Sequence, residues 1–300
     1  PPEDADVVPM ASMDVTSFSY ACRDTLAEIS RLRGDGRESE WREKADAVAA
    51  NLKARLWDDK RHACFDRDKH GKTIDVLCHN TLRCMYWGSI SQEMADAFVR
   101  QHLLNPQEFW TPLPLPSVAV NDPMFRNAPE NNWSGQCEGL TYQRAIIALE
   151  RYGYEPLVTK LGRKLLDALI RGGYVFTQQF DPFTGEPSRV GMVSHEVLSR
   201  DSDEPFQDSY GPTLLAALEY IAHIWGIALV GDEVWFSLGL GLSYTYAQRF
   251  GDDVYEIKSD GRSGAIYKNR IAVGSEPCGV RLVTNRDGKI LRTVKIEEGV

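Results

Sequence analysis

Three pairs of amphipathic helices recur along this chain at intervals of about sixty residues, and that recurrence restricts the architecture more than any other feature. The first pair is read over 16–33 and 39–56. Phe18, Cys22, Leu26, Ile29 and Leu32 keep one face of its first helix, and Trp41, Ala45, Val48, Leu52 and Leu56 one face of its second. Gly34-Asp35-Gly36 ends the first helix, and Ser39 is the expected N-cap of the second. The second pair is expected over 77–88 and 91–104, and the third over 138–152 and 155–170, with turns at Gly88-Ser89 and Gly153. A last helix is expected over 212–225, with Leu214, Leu218, Ile221 and Trp225 facing in. A helical hairpin cannot bury its apolar face alone. A fixed period of hairpins therefore predicts a mainly α array, of the toroidal kind, in which neighbours cover one another.

The second helix of each pair leads into a long insert, so the inserts leave the array at one end. That end collects Phe65-Asp66, Phe109-Trp110, Trp133 and Phe180-Asp181, which makes it the candidate site. The insert over 105–136 carries five prolines within 18 residues, Pro112 to Pro129, and has little helical freedom. It ends in Asn132-Trp133-Ser134-Gly135-Gln136-Cys137-Glu138, which passes from polar loop into helix. These side chains suit a sugar pocket. Amides and carboxylates match hydroxyls as donors and acceptors, and an indole offers a flat apolar face. Plainer readings stand beside this one. Trp110 and Trp133 also fit as core aromatics, Glu138 as a first-turn residue favoured by the helix dipole, and Asp208 as the N-cap of the last helix. Asp66 and Asp181 read as turn-fixing residues, and His79 and His195 as core or surface histidines.

After Gly226 the period changes. The stretch 232–246 is apolar and ambiguous, but Val254-Tyr255-Glu256-Ile257, Ala265-Ile266-Tyr267, Ile271-Ala272-Val273, Val280-Arg281-Leu282-Val283 and Leu291-Arg292-Thr293-Val294 are strand-like runs separated by turn dipeptides. The division expected is 1–228 for the helical domain and 229–300 for a small antiparallel, sandwich-like β domain. A net charge of −9 argues against a nucleic-acid partner, since phosphate binding draws on clustered Lys and Arg. No run approaches the roughly 20 apolar residues of a membrane span, and 1–8 has no signal-peptide pattern. Six cysteines without a CxxC or a metal-type Cys/His spacing read as free thiols, which favours a reducing compartment such as the cytoplasm; no metal or cofactor is expected.

Landmarks in a fixed order carry a resemblance: Phe109-Trp110-Thr111-Pro112, then Asn132-Trp133-Ser134-Gly135, a helix ending in Glu150-Arg151-Tyr152-Gly153, and Phe180-Asp181-Pro182-Phe183-Thr184-Gly185-Glu186 after a further insert. Over about residues 10–226 the chain resembles the C-terminal catalytic region of the glycoside hydrolase family 63, trehalase and mannosylglycerate hydrolase group. The resemblance implies an (α/α)6 toroid, here incomplete at its N-terminal side, and hydrolysis of α-glycosides with inversion. Such chemistry pairs a carboxylic acid that protonates the leaving oxygen with a carboxylate that activates water. It places the base at Gln178, where the relatives carry Glu, and the general acid in a Trp-Asp segment upstream of Asp14. It also marks Glu138 as a departure, a pocket carboxylate at a position where the relatives carry an aromatic, and so a candidate relocated base.

The expected catalytic groups are therefore Glu138, Gln178 and Asp208, and the expected sugar-binding groups Trp110, Asn132, Trp133, Gln136, Gln179 and Tyr210. A carbohydrate is the expected substrate. Three pairs and one helix fall short of six pairs, so an upstream segment or a second chain is expected to complete the toroid. The alternatives are a catalytically inactive carbohydrate-binding or scaffold toroid, or another sugar-active enzyme such as a lyase.

Overall fold

A computed structural model describes residues 5, 7–128, 134–188 and 210–297. Seven α-helices are formed among them: α1 (Met13–Arg33), α2 (Glu38–Arg55), α3 (Thr81–Trp87), α4 (Gln92–Phe98), α5 (Gly139–Glu150), α6 (Glu155–Arg171) and α7 (Gly211–Trp225). One π-helical turn, Val99–Leu103, prolongs α4. The first helices of the pairs pack in succession, α1 on α3, α3 on α5 and α5 on α7, to make an inner row. Behind it α2 backs α1, and α6 backs α5 and α7. This is an open arc of an α/α toroid, and none of its described helices is long and apolar enough to cross a membrane.

Local chemistry explains most helix ends and two departures from expectation. Gly34 closes α1 in the left-handed conformation, φ 64°, with its N–H on the Arg31 carbonyl. The turn that follows is set by Ser30 Oγ and Asp35 Oδ1, which accept the Arg37 N–H at 3.0 and 3.2 Å. Because that network ends at Arg37, α2 starts at Glu38, and Ser39 lies inside the first turn instead of capping it. The second pair opens later than 77, since 77–79 is held extended. Leu77 N–H donates to Asp122 Oδ2 at 2.8 Å, and His79 N–H to the Ser117 carbonyl at 3.2 Å. Ser91 does cap α4, accepting the Met94 N–H.

The apolar stripes of the two outermost inner helices face the other way from expectation. On α1 the buried residues are Met13, Ser17, Ala27 and Ser30, while Phe18 is 51% and Leu32 is 70% exposed, with Leu26 and Ile29 also exposed. On α7 they are Thr213, Ala216, Ala217, Tyr220 and Ile224, while Leu214, Leu218 and Ile221 are exposed. On α1 the buried face is mostly small and admits close approach, while on α7 Tyr220 and Ile224 join Ala216 and Ala217, and the neighbour supplies the space. At Gly162 of α6 an added Cβ would stand 2.3 Å from the Tyr220 ring. Being the ends of the row, α1 and α7 have an inner neighbour on one flank only, which leaves the opposite apolar stripe uncovered among the described residues.

Short strands brace the arc: β1 (Trp57–Asp58) with β2 (Ala63–Cys64), and β3 (Cys137–Glu138) with β4 (Gln179–Phe180). The chain then builds eight strands, β5 (Ile227–Val230), β6 (Glu233–Leu238), β7 (Ser243–Phe250), β8 (Asp253–Asp260), β9 (Ser263–Lys268), β10 (Ile271–Pro277), β11 (Val280–Asn285) and β12 (Ile290–Lys295). The ambiguous stretch is thus β6 and the start of β7. Two antiparallel sheets, ordered β12-β11-β6-β5 and β10-β9-β8-β7, share a core that includes Phe236, Leu238, Tyr255, Ile257, Ile266 and Leu282. Two charged clusters fasten this β domain to the helices. Arg281, 3% exposed, donates to Glu150 Oε1 at 2.7 Å and to Ser237 Oγ at 3.0 Å. Glu297 accepts from Arg163 Nε at 2.5 Å and from the Leu240 N–H at 2.6 Å.

Candidate active site

The antiparallel packing of inner and outer helices brings the N-termini of α1, α3, α5 and α7 to one end. There β3 and β4 pair in the register Glu138↔Gln179, setting these two side chains on the same face of a two-stranded ribbon. The β4 segment is clamped between α5 and α7. Gly139 N–H donates to the Gln178 carbonyl at 3.1 Å, Thr213 Oγ1 to the Thr177 carbonyl at 2.6 Å, and Tyr210 N–H to the Phe176 carbonyl at 2.8 Å. A Cβ on Gly139 would lie 1.7 Å from Thr213 Oγ1 and 2.8 Å from its Cα, so only glycine lets the helices meet here. Gly139→Ala is expected to cost roughly 1–3 kcal/mol by overpacking. Urea denaturation checks it, and a change below about 0.5 kcal/mol, the usual effect of an innocuous surface change, would mean the helices part freely.

Glu138 is 6% exposed, occupies the position before the first turn of α5, and its side chain makes no hydrogen bond among the described residues. It is therefore not spent on capping the helix. Burial pushes its carboxyl up to about 7, against the pull of Arg83 and Arg144. Tyr210, half-buried, has its hydroxyl raised by burial and by the Glu138 charge. Gln179 is wholly buried, yet neither its amide oxygen nor its nitrogen has a partner among the described residues. Gln178 is 7% exposed and its amide is likewise unbonded there. Unsatisfied buried polar groups cost about 1–3 kcal/mol each, so a cluster of them calls for water or a ligand.

Other expected residues serve differently. Gln136 is a brace: its Oε1 accepts from Ser188 Oγ and its Nε2 donates to Asn127 Oδ1 at 3.2 Å. Trp110 packs half-buried on the helical core. Asp181 fixes its turn by accepting the Phe183 and Thr184 N–H groups, and Asp66 caps α1 through the Met13 N–H at 2.7 Å. Asn132, Trp133, His195 and Asp208 lie outside the described residues.

Asp14, Arg83, Arg144 and Thr141 were not among the expected site residues, and His79, expected as a core or surface histidine, is a core one. Arg83 Nη1 donates to Asp14 Oδ2 at 2.6 Å, and its buried Nε has no partner among the described residues. Arg144 makes no ion pair with a described residue. Burial, with Arg83 and Arg144, lowers His79 to about 3, so the ring is neutral; its Nδ1–H donates to the Pro116 carbonyl at 3.3 Å and its Nε2 accepts the Thr141 hydroxyl at 3.2 Å. One signal could have found the charged three: Asp14, Arg83 and Arg144 each sit in the first two turns of successive inner helices.

An arc of helical hairpins with unsatisfied polar groups at its inner N-termini defines an α/α-toroid protein with a polar, ligand-ready end. Residues 4–201 match the mannosylglycerate hydrolase MGH1-like glycoside hydrolase domain, and the chain belongs to that family. Its fold is similar to that of the family 63 mannosylglycerate hydrolase of Thermus thermophilus crystallised with glucose, at 20% identity and a TM-score of 0.53, over 70% of this chain and 47% of that one. The neutral trehalase Nth1 of Saccharomyces cerevisiae is similar at 16% identity and a TM-score of 0.57, over 72% and 38%. A sialidase matches at 14% identity and a TM-score of 0.65, over 91% of this chain, β domain included, and 26% of its own. The chain thus spans less than half the length of each of these proteins.

Proposed function

We propose that this chain forms the base-bearing part of an inverting glycoside hydrolase for α-linked sugars. The observation that carries the reading is Glu138: a buried carboxyl whose side chain is unspent in hydrogen bonding among the described residues, with a pKa of about 7, beside the unbonded amide of Gln179. In its carboxylate form Glu138 takes a proton from water as the water oxygen attacks the anomeric carbon. The bond to the leaving oxygen breaks on the opposite face, and a carboxylic acid protonates that oxygen. The amides hold the water or sugar hydroxyls, supplying both donors and acceptors.

The general acid comes, in this reading, from an upstream segment or a second chain that covers the exposed stripes of α1 and α7. Contiguous apolar patches beyond a few hundred Å² are uncommon on soluble monomers, which supports such a cover. Activity on a panel of α-linked disaccharides, measured together with mass in solution, tests it. Release of monosaccharide only by the completed assembly is expected, and an active 33.8 kDa monomer would remove the need for a partner.

Gln179→Leu is a sharper probe of the pocket. Leucine fills the same space without unpaired polar atoms, so the melting temperature should hold or rise while kcat/KM falls about tenfold or more. Unchanged kinetics would take Gln179 out of the sugar site. A second reading, a carbohydrate-binding toroid without catalysis, is favoured by Gln178, an amide that cannot take a proton. It expects sugar binding by calorimetry, insensitive to Glu138→Gln, with no release of monosaccharide by any assembly.

A further inference from the structure

The outer face of the β10-β9-β8-β7 sheet holds a trough of about 740 Å³, far from the helical site in sequence. Strand register explains it. Thr245 pairs with Lys258, Lys258 with Ala265 and Ala265 with Ser275, so these four side chains form one row across all four strands. Lys258 is the only long member, and it leans out of the row. Its Nζ lies 3.4 Å from Glu256 and 4.9 Å from the Tyr267 ring centre, which uncovers the methyl and hydroxyl groups of the row. Asp260, Ser263 and Pro277 of the next outward-facing row form the other wall. Four strands about 4.8 Å apart give the trough a length of roughly 15 Å.

We propose that this trough is a second binding site, for a neutral polysaccharide or oligosaccharide laid across the strands. The chemistry of the lining selects that class. Hydroxyls, one ammonium and the Asp260 carboxylate supply both donors and acceptors, while Ala265 and Pro277 supply apolar contact for sugar C–H faces. Asp260 offsets Lys258, so the lining carries no net positive charge to attract polyanions. An extended peptide would bind along a sheet edge through main-chain hydrogen bonds, and a trough perpendicular to the strands offers it none. The site stands apart from Glu138 and does not depend on catalysis there.

Affinity electrophoresis of the whole chain through native gels containing an α-glucan, an α-mannan, a β-glucan or, as the polyanion control, heparin tests the proposal. Retardation by at least one neutral polysaccharide is expected. Ala265→Trp, which fills the row, and Ser275→Arg, a milder change on the exposed edge strand, should each weaken it about tenfold or more. Glu138→Gln should be retarded like the unaltered chain, and melting curves of the trough variants should overlay it. Absence of retardation in every neutral gel, retardation by heparin alone, persistence in the folded Ser275→Arg variant, or loss in Glu138→Gln but not in the trough variants would each overturn it.

Discussion

Glu138→Gln should lower turnover about 10²–10⁴-fold and, at the same time, stabilise the fold at alkaline pH. The two effects share one cause. Burial lifts the carboxyl from 4.5 to about 7, so ionisation is disfavoured in the folded chain relative to the unfolded one. Its folded pKa being raised, the contribution of Glu138 to stability is fully present below about pH 4.5 and is lost as pH rises through 7. At about 1.36 kcal/mol per unit the loss amounts to about 3 kcal/mol above pH 7. Glutamine does not titrate, so the stability gained by the variant should be small at pH 4.5 and grow to a plateau above pH 7. On the proposed role as base the carboxylate is the active form, so kcat/KM of the parent should rise with pH through about 7. Denaturation at several pH values and a pH–rate profile check both halves. A pH-independent effect on stability with unchanged turnover would return Glu138 to a structural role.

The largest stability loss is expected at the latch between helices and β domain. Glu150 ends α5 and accepts from His223 Nδ1 at 2.8 Å and Arg281 Nη2 at 2.7 Å through one oxygen. Burial pushes its carboxyl up, but the His223 hydrogen bond and charge, with Arg281, outweigh that and hold it below its usual range. Arg281 also rests on the Trp235 ring, 4.6 Å from its centre, and is almost without solvent. Glu150→Ala leaves this guanidinium buried and unpaired, which should cost about 3–5 kcal/mol. Arg281→Met in the same chain should recover much of it, because no uncompensated charge then remains. Guanidinium chloride denaturation of the two single variants and the double variant measures this. A single-variant loss under about 1 kcal/mol, the size of an exposed ion pair, would show that the latch carries little of the stability. Because the Glu150 pKa is depressed, its contribution should be present above the unfolded carboxyl range and be lost as pH falls through the folded value.

Helical period and turn residues made the hairpin array and the strand-rich tail legible in the sequence, because each depends on local spacing. Which face of a helix is covered does not. Phe18, Leu26 and Ile29 form a better apolar stripe than Met13, Ser17, Ala27 and Ser30, yet the small residues take the neighbour because they permit close approach. On α7 Tyr220 and Ile224, with Ala216 and Ala217, take the neighbours, and Leu214, Leu218 and Ile221 stay exposed. At the site, Glu138 stood out as a carboxylate where a resemblance led one to expect an aromatic. Arg83 and Arg144 were not legible, since they come to act on Glu138 only after α3 and α5 are packed, whereas His79 read as a core or surface histidine and is buried. Gln136 has a side chain suited to sugars, but Ser188 and Asn127 use its hydrogen-bonding capacity, and no local pattern announces such long-range partners.

Proton NMR of the first sugar released from an α-linked disaccharide, by this chain in its completed assembly and as the isolated monomer, tests the central claim most directly. The β anomer from the assembly and silence from the monomer are expected, because in the proposed mechanism water activated by Glu138 attacks the face opposite the leaving group and an upstream segment or second chain supplies the acid. The α anomer appearing first, or equal release by the monomer, would contradict it.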